Sequence, residues 1–123
     1  MISFRTLAMI LAAFCIALGG LWFVDAVFYA QTYGVDMGDG GAFFGRRVSP
    51  ILMGLGVMLN LARDAEPSPL RRAICVGVAL AFGGVGCTGL LAYWDGTASF
   101  AILVAAGTEF FAAAAIMSVA QSR

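Results

Sequence analysis

Glu109 is the residue of this chain best placed to do chemistry. It lies near the middle of the last long apolar run, 97–120, and an acidic or basic group at the centre of a membrane helix costs about 2.5–3.5 kcal/mol to insert. Such a carboxyl is expected to be either neutral or paired. On a helical wheel it shares a face with Ala105, Ala106, Ala112 and Ala113, with Phe100, Leu103, Val104 and Phe111 toward the other side, so it points into a bundle rather than at lipid. Three roles fit: a proton or ion relay, a structural lock with Arg46 or Arg47, or a polar contact with another subunit. The lock is the primary expectation.

Arg46 and Arg47 are the basic residues expected near one end of a span, and they read equally as interfacial arginines bound to lipid phosphate. Asp25, near the end of the first apolar run, is a further candidate partner for an arginine. If the second span starts at Gly41, Arg47 lies about 9 Å into it and Glu109 about 18 Å into the last, so a pair between them is stretched. Cys15, Cys75 and Cys87 make no Cys-x-x-Cys, and the chain has no histidine, so the usual zinc, haem and copper ligand sets cannot be assembled. No metal and no cofactor is expected. The cysteines read as small packing residues.

The elements that must position these groups are apolar and long. Hydrophobic residues make up 62% of the 123 and charged residues only 11%, a composition outside the range of soluble domains. Spans are expected at about 6–30, 41–62, 73–94 and 97–120, in an all-α integral membrane four-helix bundle of two antiparallel hairpins forming one transmembrane domain. Arg5 before the first run resembles the start of a secretory signal. The absence of a small-x-small cleavage site and the retained Met1 point instead to a spanning helix.

Residues 31–41, with Asp36, Asp39 and several glycines, read as a flexible turn, and 63–72, with two prolines and five charges, as the division between hairpins. The second span has two readings. Either it is a full helix from Gly41 kinked at Pro50, or Ser49 caps a short span preceded by a surface segment; the kinked full span is expected. Small residues at Gly41 and Gly45, and at Gly83, Gly84 and Thr88, mark candidate helix-packing faces, within the chain or between chains.

Seven arginines balance seven acids, which leaves no basic stripe for nucleic acid. Arg5, Arg63, Arg71, Arg72 and Arg123 fall on one side of the membrane against Arg46 and Arg47 on the other, so both termini are expected in the cytoplasm of a bacterium, with the chain in its inner membrane.

The run Phe43-Phe44-Gly45-Arg46-Arg47-Val48-Ser49-Pro50, then Gly54, Gly56, an Ala62-Arg63 exit, a proline-bearing loop with Arg71-Arg72 and a lone Glu109, resembles small four-helix bacterial membrane proteins of the DoxX-like and related uncharacterised families. That resemblance implies architecture and no biochemistry. Small multidrug resistance transporters carry their coupling Glu in the first helix, where this chain has none. Dual-topology fluoride channels carry an early glycine-arginine stretch and a polar pore track that are missing here, and four-helix quinone and disulfide oxidoreductases need paired cysteines. The functional expectation is a non-enzymatic accessory or interaction protein, with lipid and either a protein partner or a second copy around it. The alternative is a proton-coupled carrier or channel centred on Glu109.

Overall fold

A computed structural model describes residues 2–122. Met1 and Arg123, which entered the arguments about signal cleavage and charge asymmetry, lie outside the described residues. The chain forms four helices, α1 (Phe4–Thr32), α2 (Gly38–Ala62), α3 (Pro69–Trp94) and α4 (Ala101–Ser118), each long and apolar enough to cross a membrane. Among the described residues there is no strand. This is the expected all-α, four-span bundle.

The helix starts follow the capping residues. Ser3 and Ser68 accept from the amides of Thr6 and Arg71, both at 3.2 Å, and Pro69 stands in the first turn of α3, where its missing amide costs nothing. The turn from α1 to α2 uses Gly34 at φ +73° and Gly38 at φ +57°, a backbone region that favours glycine. At the end of α3, Asp95 accepts from the hydroxyl and the 2.9 Å amide of Thr97, which holds its carboxyl below the usual carboxylate range.

α2 is helical from Gly38 to Ala62 with Pro50 inside it and no break in helical backbone there, which matches the full span. Ser49 is therefore an interior residue rather than a cap; it is fully buried against α1, where its backbone carbonyl lies at Gly19. α1 differs from expectation. It is broken at Asp25, whose backbone (φ −150°, ψ 78°) leaves the helix and whose carboxylate accepts from the amide of Phe28 at 2.9 Å. Asp25 thus acts as an N-cap for a final two-turn segment, 26–32.

Packing pairs α1 with α2 and α3 with α4, and the two hairpins meet where α1 touches α4. Glycines set the closest approaches. A Cβ on Gly56 would stand 2.8 Å from the carbonyl oxygen of Ala12, and one on Gly86 would stand 3.1 Å from the ring of Phe110. The main core lies toward the end that carries both chain termini, where Leu7, Leu11 and Cys15 of α1 meet Leu59 of α2, Cys75, Val78 and Phe82 of α3, and Ile116 of α4.

Candidate intramembrane site

At the end of the bundle near Ser3 and Ser122, Arg71 holds the end of α4 to α3 and reaches the first hairpin at the ring of Phe4. One turn into α3, it is only 3% exposed, and its guanidinium donates to the carbonyls of Val119 and Ser122 at the end of α4 and of Ala65 in the loop, and lies 4.0 Å above the ring of Phe4. The carbonyls that end a helix have no partner within it and carry partial negative charge, so a buried cation is stable there. Arg5 and Asp64 add an exposed ion pair at 3.3 Å. At the opposite end, the amide of Ser99 donates to the carbonyl of Tyr33 at 2.7 Å and joins the α3–α4 turn to α1.

Between these two ties the hairpins part. Two crevices result, one of about 660 Å³ against α1 and α4 and one of about 470 Å³ reaching α2 and α3. Phe14, Leu18, Tyr29, Phe82 and Glu109 line both. Glu109 is the ninth of the 18 residues of α4, so it sits midway along the shortest helix of the bundle. It is half-buried and makes no hydrogen bond or ion pair among the described residues; the ion pairs found are Arg5–Asp64 and Arg63–Asp64.

The structure does not bring the expected charge network together. Arg46 and Arg47 are exposed, and the guanidinium of Arg47 lies 5.6 Å over the ring of Phe43 on its own helix. The physical reason is facing: α2 meets the crevice of Glu109 through Val48, Ile51 and Leu52, while Arg46 and Arg47 are exposed and line neither crevice. Asp25 is spent on the amide of Phe28. What the break at Asp25 does is place the segment bearing Tyr29 and Tyr33, whose hydroxyls lie 3.4 Å apart and which both line the larger crevice. Trp22 stacks near Tyr29 at 5.1 Å between centroids, and its indole nitrogen is buried without a hydrogen-bond partner.

Of the small residues singled out for packing, Gly45 meets α1, its Cβ position lying 2.8 Å from the Ala26 methyl, and Gly83 is in ordinary contact with Ala113. Gly41 abuts the side chain of Met37 in the preceding turn. Gly84 has open space around it, and Thr88 is exposed and donates to the carbonyl of Val85. On α3 the close contacts with α4 are made instead by Gly86 and Gly89.

Two site features escape a reading by composition. Charge asymmetry and the Arg71-Arg72 resemblance place Arg71 at a span end, whereas Arg71, Cys75, Val78, Phe82, Gly86 and Gly89 recur at helical spacing and are all buried. Asp25 was read as a charge when its place three residues before Phe28 is the spacing of a cap. Cys15 and Cys75 are buried free thiols and Cys87 is exposed. Among the described residues no three His, Cys, Asp or Glu side chains converge as metal ligands. Comparison with family models, with curated proteins and with solved structures finds no match.

Proposed function

We propose that this protein is a small non-enzymatic carrier of a bacterial inner membrane, with both termini cytoplasmic, in which Glu109 exchanges a proton for a solute held between the hairpins. One observation supports this reading above the others: Glu109 stands unpaired where the hairpins part and lines both crevices. A carrier needs one group that can be reached from more than one direction, near the middle of the membrane and between two rigid halves. A structural lock would have joined Glu109 to an arginine. The orientation rests on the arginine asymmetry of the sequence.

The test uses vesicles that contain the protein and an internal pH dye. Organic cations, neutral lipophiles and inorganic ions are added outside in turn. Proton movement driven by one of them in the wild type and lost in a folded Glu109→Gln variant supports the carrier; proton movement unchanged by the substitution, or none with any solute, contradicts it.

A second reading rests on a separate observation. Gly77, Gly84 and Thr88 lie on one outward face of α3, and Gly77 and Gly84 have nothing within 4 Å of their Cβ positions. Small residues there let another helix approach closely, which suits docking to a protein partner or to a second copy. Carriage and association are compatible.

A further inference from the structure

The surroundings of Glu109 identify the kind of solute. Its neighbours in the crevices are aromatic and aliphatic: Trp22 and Tyr29 from α1, and the Phe14–Phe82 pair at 6.2 Å joining α1 to α3. Among the described residues lining either crevice, Glu109 is the one charged group, and Tyr29 and Tyr33 are the other titratable ones; α2 and α3 contribute only apolar side chains and Gly54.

This donor set discriminates between classes. An anion meets the carboxylate and nothing positive. A hard inorganic cation takes about six or more oxygen ligands, and here one carboxylate and two phenols are joined only by Thr32 and Thr108, whose hydroxyls donate to the carbonyls of Phe28 and Val104 on their own helices. A neutral lipophile leaves the carboxyl without a charge partner. An organic cation uses every feature: its charge meets Glu109 where the dielectric is low, and its body lies on aromatic faces whose quadrupoles attract cations. The crevices, about 660 and 470 Å³, lie within the usual range for drug-sized ligands of about 300–1,000 Å³. Phe111 and Ile51 line the crevices and are 73% and 72% exposed, so the apolar walls run out to the surface of the bundle, which is open to a solute dissolved in a bilayer.

We infer that the site binds a lipophilic organic monocation drawn laterally from the membrane, its charged centre at Glu109 and its apolar body against Trp22, Tyr29 and Phe14. This rests on the reading of Glu109 as the exchanging group. The step balances in charge: a carboxylic acid and a cation give a carboxylate–cation pair and one proton, which leaves to water.

Tetraphenylphosphonium and tetraphenylborate have one shape and opposite charges, and each is titrated into the purified full chain in weakly buffered detergent. The Trp94→Phe background leaves Trp22 as the remaining indole reporter. The phosphonium is expected to saturate at one per chain, quench Trp22 and release one proton, and Glu109→Gln to weaken it at least tenfold and abolish the release. The borate is expected to do neither. Equal binding of the two ions, phosphonium binding unaffected by Glu109→Gln, or no phosphonium binding would overturn the inference. If the Gln variant does not fold, the contrast between the two ions in the wild type decides alone. Should the phosphonium fail while the vesicle assay shows Glu109-dependent proton movement with a neutral or inorganic solute, the substrate class is wrong and the carrier reading survives; failure in both assays removes both.

Discussion

Tyr29 of α1 and Glu109 of α4 line both crevices, and among the described residues neither is tied to a charged side chain. Tyr29 owes its place to the break at Asp25, which ends one helical segment and caps the next. Replacing Asp25 by Ala removes the cap and is expected to cost about 1 kcal/mol, with loosening of the Tyr29 segment, while Asn keeps the acceptor and stays near wild type. Amide hydrogen exchange at Phe28 checks this: it rises in the Ala variant and stays low in the Asn variant.

Arg71 predicts a large effect from a residue near the membrane surface. Arg71→Met leaves the carbonyls of Val119, Ser122 and Ala65 without their shared donor and is expected to lower unfolding free energy in mixed micelles by about 2–4 kcal/mol. Arg71→Lys retains the charge but not the forked donor and recovers part of the loss. Arg72→Met, at an exposed neighbouring position, is expected to change stability by less than about 0.5 kcal/mol.

Two glycines separate packing from propensity. An Ala at Gly56 drives its methyl toward the Ala12 backbone and is expected to destabilise by about 1–3 kcal/mol. At Gly20 nothing lies within 4 Å, so Ala there is expected to be neutral or to stabilise by up to about 1 kcal/mol through backbone entropy. Thermal unfolding of both variants in one detergent decides between these opposite signs.

If α3 docks onto a second copy, a cysteine at Gly84 in a chain lacking Cys87 should cross-link in native membranes on mild oxidation. One at Gly86, buried against Phe110, should not. Equal cross-linking at both positions would show that the face on α3 does not determine the contact.

Much of the architecture was legible because bilayer physics is coarse. Long apolar runs, the charged proline loop at 63–72 and the aromatic-acid-glycine turn after Trp94 locate four spans, although α4 begins at Ala101 rather than near Thr97, after a turn fixed by Asp95 and Ser99. The inward direction of Glu109 was legible from its alanine face, and Ala106 and Ala112 are indeed buried. The lack of an arginine partner among the described residues was not, because pairing depends on which helix faces meet, and hydropathy carries no information on order around a bundle. Arg71 was missed for a different reason: charge counting assigns an arginine at a span end to water, and only the register of Cys75, Val78 and Phe82 places it on the core face.

The carrier reading requires Glu109 to be unpaired and reachable from the bilayer. Dicyclohexylcarbodiimide dissolves in hydrocarbon and modifies isolated carboxyl groups there, whereas a water-soluble carbodiimide reacts with surface acids. Membranes are treated with each reagent and the modified residue is located by mass spectrometry. Labelling of Glu109 by the lipid-soluble reagent alone, at the same level in Arg46→Gln and Arg47→Gln variants, is the predicted result. No labelling in the wild type, with labelling appearing once either arginine is removed, would show that the carboxylate is locked to α2 and would contradict the account.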